Sequence, residues 1–314
     1  MLSNFLIISK LYYLFVHVIP VLVAAITLAN ILNEFGIINK ISWIIKPIIK
    51  LANLSPESGL AVITYVASGN AASAMLASFY EQKTISERET IVASFVGSFF
   101  SFLNHVLVYF IPVVIPLLGL KAGILYISAR MVISACVTLT AIVSGHFLLK
   151  NKFNKKIKNR EKIENVKNNI NKKEMVRTGI KKSINVLKKI LPRLILVYTI
   201  TSILIEYRAF KPFENFRILN LPSQASAIVA AGVADTTAGF AAAGSLLSSN
   251  VITPVQAVSA LLLTSIVSMS VIFVRHSLPG RIAYFGVKLG FKIAIISSLL
   301  NIVYTALVLA FLLH

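Results

Sequence analysis

Residues 55–80 read SPESGLAVITYVASGNAASAMLASFY, and the fold turns on this stretch. Both flanks are apolar, while Ser68-Gly69-Asn70 sits in the middle among small residues. Gly and Asn weaken a helix interior, and a buried Asn side chain needs partners that lipid cannot supply. Such a break is tolerated at membrane depth where the backbone is buried in protein or lines a water-filled cavity. The stretch therefore reads as a half-helix, turn, half-helix hairpin with its polar tip inside the membrane.

The same construction recurs at an offset of 167 residues. Leu54 falls on Leu221, Ser86 on Thr253, Glu89 on Gln256, Pro112 on Pro279, Gly119 on Gly286 and Gly123 on Gly290. The tip Ser68-Gly69-Asn70-Ala71-Ala72 falls on Asp235-Thr236-Thr237-Ala238-Gly239. Upstream, Ile19-Pro20-Val21-Leu22 lines up with Leu191-Pro192-Arg193-Leu194 in a shifted register. A constant offset carried through Pro and Gly positions points to an internal duplication.

Composition sets the class. The chain is 57% hydrophobic and 13% charged, as expected for an integral membrane protein. Apolar runs at 11–33, 88–117, 120–149, 190–206, 255–274 and 286–313 are mostly long enough to cross a bilayer. The start lacks a basic n-region and a small-x-small site, so a cleavable signal peptide is not expected. Cys136 is alone, which excludes a disulfide framework and a cysteine metal cluster. The net charge of +20 would suit nucleic acid, but fifteen of the 31 basic residues lie between Lys150 and Lys189. That segment reads as a basic cytoplasmic linker facing anionic headgroups, and no nucleic-acid partner is expected.

Charge also orients the hairpins. With the linker inside and both hairpins fully crossing, eleven of the remaining helix-end Lys and Arg fall outside and four inside. With both hairpins re-entrant, ten fall inside and five outside. Only the second arrangement obeys the positive-inside rule. The expected fold is thus an all-α polytopic membrane protein of two inverted repeats. Each has three transmembrane helices, an interfacial helix and a re-entrant helical hairpin.

Repeat one covers 1–149, the linker 150–189 and repeat two 190–314. Residues 37–51, with Lys40, Lys46 and Lys50 around Trp43, read as a helix lying in the cytoplasmic interface. The hairpins are 55–80 and 221–248, and 207–218 is a short amphipathic piece. Ser86 and Glu89 have capping-box spacing before the helix at 88–117.

Asp235, the chain's only aspartate, sits at the tip of hairpin two. A carboxylate at that depth is costly unless paired or wet, which makes it a candidate site residue. Asp followed by Thr-Thr is equally an N-cap sequence, and half-helix N-termini are where transporters hold substrates and ions. Asn70 is its counterpart in hairpin one. Ser98, Ser101, Asn104 and His105 place polar groups in 88–117, and Thr264, Ser265, Ser268 and Ser270 do so in 255–274. Ser and Thr are often packing residues in membrane helices, whereas the Asn104-His105 pair needs partners. Arg130, deep in its helix, has no basic counterpart in repeat two and would snorkel or pair with Glu206 or Glu34. No phosphate loop, zinc spacing or Ser-His-Asp arrangement is present, so no enzyme is expected.

SPESGLAVITYVASGNAASAML, the charged turn Glu81–Glu89 and the helix after it resemble the nucleoside-recognition, or Gate-domain, family. Its relatives include concentrative nucleoside transporters, the membrane gate of ferrous iron transporter B and spore maturation proteins A and B. The resemblance implies two opposed hairpins whose tips, with the broken helix after each, hold nucleoside and sodium. By position, it points to Ser68, Gly69, Asn70, Asn104, His105, Asp235, Thr236, Thr237, Ser268 and Ser270 as substrate-binding residues. The transporters' hairpin-tip glutamates and the iron gate's Gly-Cys-x-x-Pro-type motif are missing here.

The favoured expectation is a transporter-like plasma-membrane protein that binds or moves a small polar solute. No cofactor is expected, with a coupling Na+ or H+ left open, as is a homo-oligomer. The rivals are a non-transporting membrane component acting through a partner protein and a divalent metal-ion conduit using Asp235 and His105.

Overall fold

A computed structural model of the chain describes residues 42–66, 68–149, 172–206, 221–269 and 277–313, together with residue 273 and isolated positions between 11 and 27. All elements among these residues are helices. The expected crossing at 11–33 lies largely outside the described residues, as do 150–171, 207–218 and Ser270.

Helix α1 (Ser42–Leu51) is the described part of the expected interfacial helix. It buries Ile49 while Leu51 stays 58% exposed. Hairpin one then forms from α2 (Pro56–Tyr65) and α3 (Gly69–Glu81). Helices this short are marginal alone, and side-chain contacts hold the two arms together. The Tyr65 hydroxyl lies 3.2 Å from Ser73 Oγ, and Thr64 Oγ1 lies 3.4 Å from Met75 Sδ.

Helix α4 (Glu87–His105) continues through a π-helical segment (Val106–Val114) into α5 (Ile115–Leu148). Inside α5 the chain turns at Gly119, with φ 76° and ψ 166°. A left-handed φ of this kind favours glycine. Just beyond the turn, a Cβ on Gly123 would lie only 3.0 Å from Ile115 Cα, so the two limbs touch there.

Helix α6 runs from Lys172 to Glu206. The 172–189 part of the segment read as linker is therefore helical and continuous with the expected crossing at 190–206. The reason is a stripe four residues apart: Gly179 and Ser183 are buried, and Leu187, Leu191 and Ile195 pack on the core beside hairpin two. Lysine-rich composition masks that stripe in the sequence.

Hairpin two is α7 (Ala225–Ala234) and α8 (Thr236–Ser248), broken at Asp235. Its arms approach closely: a Cβ on Gly239 would come within 2.8 Å of Gly232 Cα. Helix α9 (Pro254–Val267) follows, ending at Ser268. The expected helix at 255–274 is thus interrupted at Ser268, which is a turn, with Met269 helical again. Helix α10 (Leu278–Leu313) turns at Gly286, with φ 72° and ψ 171°.

Backbone details recur at the offset of 167. Gly119 and Gly286 share one left-handed conformation, and Lys83 (φ 55°) and Asn250 (φ 53°) share another. Ser86 and Thr253 are both extended N-caps. Residues 273 and 277 are π-helical like their counterparts 106 and 110. One contact recurs with its partners exchanged: the Tyr65 ring covers Gly97 in the first half, and Thr264 covers Gly232 in the second.

Two hydrophobic cores form, and neither is one half of the chain. The first gathers α1 to α4 with Phe285, Leu289 and Ile293 of α10. The second gathers hairpin two and α9 with Leu118, Ala122 and Tyr126 of α5. Those two triplets are equivalent at the same offset, so each half lends the same part of its last helix to the other's hairpin. Large apolar side chains remain outside, including Phe147 (80% exposed) and Phe311 (82% exposed), the surface that lipid would cover.

Candidate functional site

Asp235 has an extended backbone between α7 and α8, and its Oδ1 accepts from Ala238 N at 3.1 Å. It is therefore the N-cap of α8, as Asp before a Thr-Thr start requires. That cap places the carboxylate at the tip itself. Two residues on, the Thr237 Oγ1 lies 3.3 Å from the Tyr109 hydroxyl.

Tyr109 belongs to the π segment, where the wider winding re-aims side chains relative to an α-helix. Its ring centroid is 6.3 Å from that of His105 and 6.5 Å from that of Phe240. Phe240 in turn meets the Tyr126 ring edge-to-face at 5.1 Å. Tyr126, buried in the second core, also meets the Phe110 ring edge-to-face at 5.8 Å. The result is a polar cluster with aromatic faces, built from the hairpin-two tip and from helices of the first half.

The expected residues divide as follows. Asp235, Thr237 and His105 come together around Tyr109. Asn104 is half-buried beside His105, and Thr236 is exposed at the start of α8. Ser68 carries the same role in hairpin one that Asp235 carries in hairpin two: its carbonyl accepts from Ala72 N at 3.0 Å, as that of Asp235 does from Gly239 N. Gly69 is directed at α4, where a Cβ would lie 3.3 Å from Ser101 Oγ. Asn70 is the second residue of α3, and its side chain lies outside the described residues, as does Ser270. Ser268, 3% exposed, ends α9 and donates its backbone N–H to Thr264 O at 2.8 Å.

Both tips thus rest on the helix of residues 87–114, one at Ser101 and the other at Tyr109. Eight residues of helix correspond to a rise of about 12 Å. Tyr109 and Tyr126 were missed in the sequence because tyrosines in aliphatic helices read as core. Their lack of an aromatic equivalent other than His276 in the second half was the available signal. No group of three or more His, Cys, Asp or Glu arranged for a metal occurs among the described residues.

A family model described as Gate, nucleoside recognition, matches residues 15–121. Uncharacterized protein MJ1556 of Methanocaldococcus jannaschii is 31% identical over 294 residues, covering 92% of this chain and 91% of the relative. The chain belongs to the Gate family. Two further proteins of that organism are similar over most of their length. Uncharacterized protein MJ0880 is 28% identical over 288 residues, covering 88% of this chain and 90% of the relative. Uncharacterized protein MJ0871 is 25% identical over 303 residues, covering 95% and 93%. No solved structure matches.

The Gate match ends at residue 121, next to the turn at Gly119, and so takes in hairpin one and the π segment with Tyr109. Two described helical runs, Glu87–Leu148 and Gly280–Leu313, are long and apolar enough to cross a membrane. A Gate protein with such helices is a transporter-related membrane protein, of a family associated with transport or recognition rather than catalysis.

Proposed function

We propose that this Gate protein binds and moves a small polar, nucleoside-like solute across the plasma membrane, in a site between the two hairpin tips. Hairpin two supplies Asp235, Thr236 and Thr237, hairpin one supplies Ser68, Gly69 and Asn70, and Asn104, His105, Ser268 and Ser270 line the broken helices. The observation that carries this reading is the Thr237–Tyr109 contact, which joins a hairpin tip to the π segment of the other half. Such a site offers what a sugar and a base need: hydroxyl and carboxylate partners beside ring faces of His105 and Tyr109.

In the same proposal the halves are inverted repeats and the hairpins are re-entrant. The 150–171 segment lies in the cytoplasm, and a coupling Na+ or H+ accompanies the solute. The recurrence of Gly119 at Gly286 and the reciprocal exchange of α5 and α10 between cores support the duplication. The positive-inside count supports the inversion. Alternating access would move one unit against the other around the site.

Uptake by the purified protein in sealed vesicles tests the proposal. Labelled uridine and adenosine should accumulate above protein-free vesicles, and a sodium or proton gradient should drive accumulation. Accumulation at the protein-free level for every nucleoside, with and without a gradient, contradicts it.

A further inference from the structure

Helix α6 is longer than a bilayer needs. Its 35 residues, Lys172–Glu206, rise about 52 Å, against about 30 Å of hydrocarbon. Roughly fifteen residues of continuous helix therefore lie beyond the acyl chains or along their boundary. The N-terminal end is that surplus: seven of residues 172–189 are Lys or Arg, too many to sink into hydrocarbon. Glu174 is the one carboxylate among them, and it sits in the first turn, where it complements the helix dipole.

The helix sorts these residues by face. Gly179 and Ser183 are buried, on the side that continues into Leu187, Leu191 and Ile195 beside hairpin two. Arg177, Ile180, Lys181, Ile184 and Lys188 are all exposed. Three- and four-residue spacing puts those five on one face. Gly179 and Ser183 each follow a member of that face by two residues, about 200° round the helix, so the exposed face is the opposite one. Ile180 is 41% exposed and Ile184 46%. None of the three cations makes an ion pair with a described carboxylate.

A purely solvated face has no use for two isoleucines one turn apart, and a face within the hydrocarbon could not keep three cations. Both kinds of side chain are satisfied at a headgroup boundary, where acyl chains cover the isoleucines and long basic stems reach phosphate. RNA would satisfy the cations and leave the isoleucines bare. We propose that this face of α6 binds anionic phospholipid. One phosphate lies between Arg177 and Lys181, neighbours a turn apart, with the Arg177 fork engaging two of its oxygens. Lys188 meets the next headgroup, and acyl chains lie over Ile180 and Ile184. Composition alone spreads headgroup contact over the whole of 150–189; the helix face concentrates it on five residues and adds an apolar contact. Since the other side of α6 packs beside hairpin two, lipid held here braces the helix against which that hairpin rests. None of this depends on a solute at the hairpin tips.

Thermal stabilisation of the full-length protein in detergent by added lipid tests this, with phosphatidylglycerol, phosphatidylcholine and glycerol 3-phosphate as probes. In the wild type phosphatidylglycerol should stabilise at concentrations at least tenfold below phosphatidylcholine. Raising salt from roughly 50 to roughly 500 mM should shrink that gap. The triple variant Arg177→Gln, Lys181→Gln and Lys188→Gln should lose the preference and keep the phosphatidylcholine response, each cation contributing roughly fivefold. Arg177→Gln alone, with its single share of that loss, serves if the triple variant does not fold. Ile180→Ser with Ile184→Ser should weaken the response to both lipids. A control triple at exposed lysines elsewhere, Lys50→Gln, Lys83→Gln and Lys121→Gln, should keep the preference. An equal loss in that control makes the effect one of net charge and overturns the site. Glycerol 3-phosphate as potent as phosphatidylglycerol makes it a free-anion site, and poly-glutamate as potent makes it a protein-docking face; either result overturns the lipid assignment. Equal potency of the two lipids on the wild type overturns it outright.

Discussion

The Tyr109 hydroxyl and the Thr237 Oγ1 lie 3.3 Å apart, although the two residues sit in different halves of the chain. The contact exists because α5 packs on hairpin two rather than on its own hairpin, which brings the preceding π segment across. Tyr109→Phe deletes the hydroxyl and keeps the ring packing on Phe240. A hydrogen bond of this type contributes about 1 kcal/mol net, so the unliganded fold should survive. Solute-induced stabilisation should drop roughly tenfold in potency if that bond orients the tip, a factor that corresponds to about 1.4 kcal/mol. A melting curve with and without solute reads both.

Glu89 joins the start of hairpin one to α4. It is 2% exposed, and its Oε1 accepts from Ser55 N at 2.8 Å and Ser58 Oγ at 2.9 Å. Glu89→Ala strands two buried donors, at about 1–3 kcal/mol each. Glu89→Gln keeps an acceptor oxygen and should lose much less. The order Gln above Ala in melting temperature checks the role.

Glycine separates close packing from backbone strain. A Cβ on Gly244 would fall 2.2 Å from the Leu117 carbonyl oxygen, so Gly244→Ala should cost about 1–3 kcal/mol through overpacking. Gly119 and Gly286 have open space around them but left-handed φ. Gly119→Ala and Gly286→Ala should each cost about 1–2 kcal/mol by strain alone. Gly280 has neither constraint, so Gly280→Ala should melt like the wild type. Paired losses at 119 and 286 with none at 280 are the expected pattern in detergent melts.

Topology follows from charge. A cysteine placed in 207–218 should label from outside and one in 37–51 from inside. Labelling of both from one side would remove the inverted arrangement.

The helix breaks were legible because Gly69-Asn70 and Asp235 cannot continue an apolar helix cheaply, and the Ser86 and Thr253 caps because both precede Glu or Gln at the right distance. The capping box itself formed fully at Thr253 and Gln256. At Ser86 the Glu89 carboxylate turned to hairpin one, a long-range partner that no local spacing encodes. The reciprocal packing of α5 and α10 was equally hidden, since an offset tells which residues correspond but not which ones touch. Arg130 stood out as a charge without a counterpart in the second half. The stripe of α6 was covered by lysines on its other faces.

Asp235 bears most directly on the central claim. Asp235→Asn keeps shape and capping capacity, since Asn and Asp cap about equally well, and removes the charge. Solute-induced thermal stabilisation should fall sharply in this variant, while the unliganded melting temperature holds or rises because an intramembrane charge is gone. Full retention of the wild-type response by Asp235→Asn would contradict the account, reducing Asp235 to the cap of α8 and removing the solute from the hairpin-two tip.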